Sequence, residues 1–208
     1  ELARVARSAG MRYITPTSRH HDGFSLYDTR GLSTLDVTHT PAGRDLVLDF
    51  VEGGGVFAGA HSATDTFSEW PAYGEMIGGY FDNHPWHQEV AVRVEDPAHP
   101  ANRHIPNGFR LTDEIYQFRD YSRYPLHVLA SLDGEAVDLS RGARGDDDYA
   151  LSWCKPYGQG HVFYTALGHR EDVWEDDRFL ERIREIFDQR FKMRTGSSWF
   201  STSSLGLG

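Results

Sequence analysis

Three short segments of the chain combine histidine with carboxylate or hydroxyl side chains, and each follows a stretch with the composition of a β-strand. Their polar residues are His20, His21 and Asp22 in the first, His61, Ser62 and Asp65 in the second, and His169 in the third. Near neutral pH, imidazole serves as a base, a metal ligand or a hydrogen-bond donor, and carboxylates transfer protons. This combination favours a site for a polar small molecule.

The second segment has the form of a nucleophile elbow, a sharp turn between a buried strand and a helix. The apolar run Val56-Phe57-Ala58-Gly59-Ala60 predicts the strand, and His61 stands where a thiol or hydroxyl nucleophile is expected. An imidazole at that position can act as a base, a metal ligand or a hydrogen-bond donor.

Four carboxylates are candidates for acid/base work: Asp22, Asp65, Asp113 and Glu114. Glycoside hydrolysis needs two carboxyl groups about 5 to 9.5 Å apart across the sugar, a distance that the sequence does not provide. A solvated surface pair is the alternative for Asp113 and Glu114. The histidines at positions 84, 87, 99 and 104 are interpreted as structural or solvated.

Strand and helix patterns alternate along the chain, which predicts an α/β fold with a mainly parallel sheet flanked by helices. The predicted strands cover residues 56–60, 88–95, 126–132, 149–153 and 160–165. One helix is predicted over residues 67–80, and a closing helix carries an apolar stripe from Phe179 to Phe187. Parallel strands share their carboxyl edge, so His61 and His169 are expected to converge there.

The composition limits the partners. The 208 residues carry 21 basic and 31 acidic side chains, a net charge of −10, so we expect no nucleic-acid partner. No apolar run is long enough for a membrane span, and a single cysteine excludes a zinc site built on several thiolates. No secretion signal is visible, which favours the cytoplasm, and a homodimer remains open.

Several later segments resemble the ThuA-like (trehalose-utilisation) family over about residues 46–189. They include Gly-Ala-His61-Ser-Ala-Thr-Asp-Thr66, the run from Trp70 to Phe81, Thr112-Asp-Glu-Ile-Tyr116, and the run from Val162 to Trp174. The resemblance implies a class I glutamine-amidotransferase-like, flavodoxin-like fold without the usual catalytic cysteine, and an association with sugar utilisation.

The first fifty residues resemble a fragment of the family 29 α-L-fucosidases, through the runs Leu2–Thr15, Ser18–Thr29 and Thr40–Val47. That resemblance implies that His20 and His21 contact a sugar. A TIM barrel needs roughly 200 residues or more, so we expect no barrel, and the amino-terminal unit of the α/β fold is predicted to be incomplete or replaced. The chain then reads as a chimera: one α/β domain over 1–191, with a fucosidase-like graft at 1–45, a ThuA-like core at 46–191 and a flexible tail at 192–208.

Both resemblances concern sugars, so the sequence predicts a glycosidase, of galactosidase or fucosidase type, with a small carbohydrate substrate and a pocket at the carboxyl edge of the sheet. The predicted catalytic residues are Asp22, His61, Asp65, Glu114 and His169. The predicted substrate-binding residues are His20, His21, Ser62, Trp70 and Trp174. No metal ligand is assigned, and a divalent ion held by His61, His169 and a carboxylate remains open. The alternative is a non-catalytic module that binds a sugar or a partner.

Overall fold

The computed structural model describes the backbone of residues 41–193 and the side chains of residues 47–186. The chain divides into two compact units, residues 1–47 and 48–208, and the sheet belongs to the second. The predicted graft at 1–45 therefore lies almost wholly outside the described residues, and so does the predicted tail except for residues 192 and 193, which end the last helix. The single-domain boundaries stay a prediction.

The described elements alternate less regularly than the sequence suggests. The helices are α1 (Pro41–Glu52), α2 (Pro71–Ile77), α3 (Glu171–Trp174) and α4 (Asp177–Met193), with short 3-10 turns at His61–Asp65 and Leu139–Arg141. The strands are β1 (Val56–Ala60), β2 (Tyr80–Val94), β3 (Phe109–Arg119), β4 (His127–Leu132), β5 (Ala150–Tyr157) and β6 (Gly160–Thr165). Together they form a mixed α/β fold.

The six strands form one sheet in the order β1-β6-β5-β4-β2-β3. Among the described strands, β1 and β6 pair in parallel, and the other four pairings are antiparallel. The prediction of a mainly parallel sheet is therefore wrong. Two residues, Gly158 and Gln159, separate β5 from β6, and such a short link permits only an antiparallel pair. Apolar composition predicted buried strands, but connection length decides their direction.

The predicted helix over residues 67–80 is shorter in the structure. Pro71 occupies the start of α2, where its missing N–H removes no helical hydrogen bond. Gly78 ends the helix with φ at 101°, a left-handed conformation that favours glycine, and its N–H donates to the Gly74 carbonyl oxygen. The chain then enters β2 at Tyr80.

One hydrophobic cluster of the core includes a residue of α4. Ile186 of α4 packs with Phe163, Leu129, Cys154 and Ala101, all of them buried. Across the described residues, every helix is too short or too polar to cross a lipid bilayer.

Candidate functional site

Three side chains from separate elements meet at the edge where β1 and β6 end: His61, Glu114 and His169. One ligand atom from each lies within 4.8 Å of the others. His61 follows β1 and His169 follows β6, and these two strands are parallel neighbours, so their carboxyl ends coincide. Glu114 belongs to β3 at the far end of the strand order. It reaches the other two because the sheet curls, which also places Tyr116 of β3 against His61 with 4.1 Å between ring centroids.

The backbone of His61 is held in an unusual conformation. Its φ of 45° lies in the left-handed region, which a non-glycine residue adopts only when its surroundings enforce it. The buried Tyr164 hydroxyl donates to the His61 carbonyl oxygen at 2.8 Å, and Thr64 Oγ1 lies 3.4 Å from the same oxygen. The sharp turn aims the imidazole across the strand ends, in the manner predicted for an elbow.

The ring of His61 has a defined donor and acceptor side. Nδ1 lies 2.8 Å from the Ala166 carbonyl oxygen, which can only accept, so Nδ1 carries the hydrogen. Burial lowers the pKa of His61, although the hydrogen bond to Ala166 and the charges of Asp113 and Glu114 oppose this. When the ring is neutral, its other nitrogen, Nε2, is an acceptor, and this atom lies 3.1 Å from Glu114 Oε2.

The adjacent carboxylates Asp113 and Glu114 have different surroundings because neighbouring residues of a strand point to opposite faces. Asp113 is fully buried, and its two oxygens accept backbone N–H groups from Gly168 at 2.7 Å and Arg170 at 3.2 Å. These bonds fasten the loop that carries His169. Asp113 is thus a positioning residue, whereas Glu114 faces the imidazoles.

Two further histidines surround the three residues. His84 Nδ1 lies 3.6 Å from Glu114 Oε1, on the side of the carboxylate away from His61. The exposed ring of His87 lies 5.8 Å from the ring of His169, centroid to centroid. Both histidines were interpreted as structural or solvated. Both are exposed, and they lie at the rim of the cluster.

The other predicted site residues lie at different places. Trp70 stacks on Tyr73 and contacts Phe67 edge-on, within an aromatic cluster at the start of α2. Trp174 donates its indole N–H to the Gly168 carbonyl oxygen, beside the loop of His169. Ser62 and Asp65 belong to the 3-10 turn that begins at His61.

The predicted amino-terminal part of the site was His20, His21 and Asp22. All three lie outside the described residues. Their proposed roles stay predictions.

Residues 24–186 match the family model described as ThuA, trehalose utilisation. The chain belongs to the ThuA family. The match begins at residue 24, inside the segment that was assigned to a fucosidase-like graft. The fucosidase resemblance is therefore not supported, and the division of the chain into a graft and a core stays a prediction.

Solved structures with a similar fold include other ThuA-like proteins. One from Bacteroides uniformis is 25% identical with a TM-score of 0.59, and the match covers 73% of this chain and 64% of that one. A second, from Parabacteroides merdae, is 19% identical with a TM-score of 0.56, covering 86% and 77%. A cytoplasmic protein of Salmonella typhimurium is 13% identical with a TM-score of 0.57, covering 88% and 74%. This ThuA chain thus spans less than two thirds of the Bacteroides protein. Among curated proteins, none matches it.

The prediction of a glycosidase, of galactosidase or fucosidase type, is wrong. The ThuA family model and the ThuA-like structures carry no assignment of glycoside hydrolysis.

Sequence reasoning missed the role of Asp113 in this ThuA protein. The signal was the alternation in Leu111-Thr-Asp-Glu-Ile-Tyr116, which places Asp113 and Ile115 on the buried face of β3. No strand was assigned to residues 109–119, so that alternation was not used.

Proposed function

We propose that this ThuA chain is a sugar-binding module whose site holds a divalent metal ion through His61, Glu114 and His169. The observation that carries the proposal is the meeting of three ligand atoms from separate elements. One atom each from His61, Glu114 and His169 lies within 4.8 Å of the others.

His61 Nε2 and Glu114 Oε2 lie 3.1 Å apart, so a proton or a cation must lie between these two acceptor atoms. A divalent ion bound there would accept a lone pair from each of them. The hydrogen bond from Nδ1 to the Ala166 carbonyl oxygen is also the outer contact that typically orients a metal-binding histidine.

Two imidazoles and one carboxylate suit zinc and other first-row divalent ions, and they leave at least one coordination position open. His169 is exposed, so that position faces solvent. We assign it to a hydroxyl oxygen of a sugar, the ligand class that the family description names. The exposed histidines 84 and 87 stand where they can donate hydrogen bonds to neighbouring hydroxyls.

Calorimetry tests the metal site. After dialysis against EDTA, the wild-type chain should bind about one equivalent of Zn²⁺. His61→Ala should weaken zinc binding by about 100-fold or more, because loss of an outer-shell partner alone costs 10- to 100-fold. His99→Ala is the matched control, since His99 is buried elsewhere, and it should bind zinc as the wild type does. Equal zinc affinity in His61→Ala and wild type would refute the site.

Sugar binding is measured separately. Trehalose titrated into the zinc-loaded chain should give a saturable heat that is weaker or absent in the EDTA-treated chain. Equal trehalose binding with and without zinc would show that the sugar does not bind through the metal. No binding in either form would remove trehalose as the ligand.

A further inference from the structure

A cavity lies apart from the cluster of His61, Glu114 and His169. Its volume is about 480 Å³, within the range of sites for small molecules. Its walls come from the segment around α2, the turn after β3 and the middle of β5. None of the three cluster residues lines it.

Lys155 forms part of the cavity wall and is unusual for this chain. The sequence contains 2 lysines against 19 arginines, and this lysine stands in the buried part of β5 with only 7% of its surface exposed. Its Nζ donates to the Glu75 carbonyl oxygen at 2.5 Å. That carbonyl lies in the last turn of α2, where helical carbonyls lack partners within the helix. The amine is therefore held in one position.

The surroundings of Lys155 also change its chemistry. Burial lowers the pKa of the amine, although the nearby Glu75 carboxylate opposes this. A lysine that loses its proton more easily is a better nucleophile. Arginine remains charged and cannot act in this way, so the choice of lysine at this position has a chemical consequence.

We propose that the cavity binds a small hydroxylated aldehyde or ketone and that Lys155 forms a reversible imine with it. The unprotonated Nζ forms a bond to the carbonyl carbon, and the carbon–oxygen bond breaks. The oxygen leaves as water with the two hydrogens that the amine loses. No oxidant or reductant takes part, and hydrolysis reverses the step.

The remaining lining residues define the ligand class. Ser68 and Ser122 offer hydroxyl groups, which suit a ligand that carries hydroxyls of its own. Tyr124 is 87% exposed, and its ring provides an apolar surface against which the C–H groups of a ligand can pack. The Tyr80 hydroxyl is already engaged, since it donates to the Trp70 carbonyl oxygen and accepts the Gly74 N–H.

Reductive trapping tests the proposal on the full chain. D-glyceraldehyde and sodium cyanoborohydride convert an imine to a stable secondary amine, and peptide mass spectrometry locates it. Lys192 is the internal control, because it experiences the same reagents. We expect Lys155 to be labelled severalfold faster than Lys192, because burial lowers the pKa of its amine, and we expect its labelling to saturate with glyceraldehyde concentration. Labelling of Lys155 that is no faster than that of Lys192 would overturn the proposal. Labelling of Lys155 that rises linearly with glyceraldehyde concentration, without saturation, would overturn it as well.

Variants separate a built cavity from simple reactivity. Ser122→Ala and Tyr124→Ala should raise the glyceraldehyde concentration that half-saturates Lys155, and should leave Lys192 unchanged. Lys155→Arg keeps the positive charge and should abolish only the adduct at that position. His61→Ala should label as the wild type does, because the two sites are separate. Unchanged saturation in both Ser122→Ala and Tyr124→Ala would contradict binding in the cavity.

Discussion

Two clusters of the molecule contain the same residue types and differ in what they can bind. The edge cluster consists of His61, His169 and Glu114. The interior cluster consists of His99, His127 and Asp96, where the rings of His99 and His127 lie 5.7 Å apart, centroid to centroid. Each contains two imidazoles and one carboxylate.

The difference is made by backbone contacts. In the interior cluster the Ala101 N–H donates to His99 Nδ1 at 3.2 Å, so the neutral ring carries its hydrogen on Nε2, which faces Cys154 Sγ at 4.0 Å. In the edge cluster a backbone carbonyl accepts from His61 Nδ1, and Nε2 is left as an acceptor. Asp96 in turn accepts the backbone N–H groups of Ala98 and His99. The backbone partner of Nδ1 therefore determines which ring nitrogen of His99 and of His61 is left as an acceptor.

The largest expected effect separates Asp113 from Glu114. Asp113→Ala leaves the N–H groups of Gly168 and Arg170 without their acceptor. It should lower the free energy of unfolding by about 4 kcal/mol, since a hydrogen bond to a charged group contributes about 2 kcal/mol. Urea denaturation of the metal-free chain measures this.

Glu114→Ala is the matched control on the next residue. It should change the free energy of unfolding of the metal-free chain by less than about 1 kcal/mol, and should abolish zinc binding. Equal destabilisation by the two substitutions would mean that both carboxylates serve the fold alone.

A second effect distinguishes the interior histidine by pH. Burial, then the charge of His127, lowers the pKa of His99 from 6.5 to about 4. The unfolded chain therefore takes up a proton before the folded one as the pH falls. The contribution of His99 to the free energy of unfolding is fully present above pH 6.5. It falls by about 2 to 3 kcal/mol as the pH decreases to 4.

Denaturation curves between pH 7 and pH 4 measure that decline. His99→Asn retains an acceptor for the Ala101 N–H and should flatten the curve relative to wild type. A variant with the same pH dependence as the wild type would show that the pKa of His99 is the same in the folded and unfolded chains.

The smallest effect concerns His127, which contacts Asp96 Oδ2 at 3.0 Å in a partly exposed pair. His127→Gln should cost less than about 1 kcal/mol, because solvent screens such pairs. It should leave the zinc affinity unchanged. A loss of zinc binding in this variant would move the metal site to the interior cluster.

The sequence predicted the parts of the fold that depend on local patterns. The apolar run of β1, the strand of β6 and the amphipathic α4 were identified by composition and period. His61 and His169 were expected to meet because both follow strands, and the structure brings their ring centroids to 5.1 Å.

The parts that failed depend on contacts between distant segments. Strand direction follows connection length, as at Gly158-Gln159, and was inferred instead from apolar content. The position of Glu114 depends on the curl of the whole sheet. The state of the His61 ring depends on the Ala166 carbonyl oxygen, 105 residues away in the chain. The spacing of residues in the sequence does not predict that contact.

Crystals grown with Zn²⁺ and measured on both sides of the zinc absorption edge test the central claim most directly. The account predicts one anomalous peak, with His61 Nε2, Glu114 and His169 about 2.0 to 2.2 Å from it. No peak at this edge of the sheet, or a peak at His99 and His127, would contradict it.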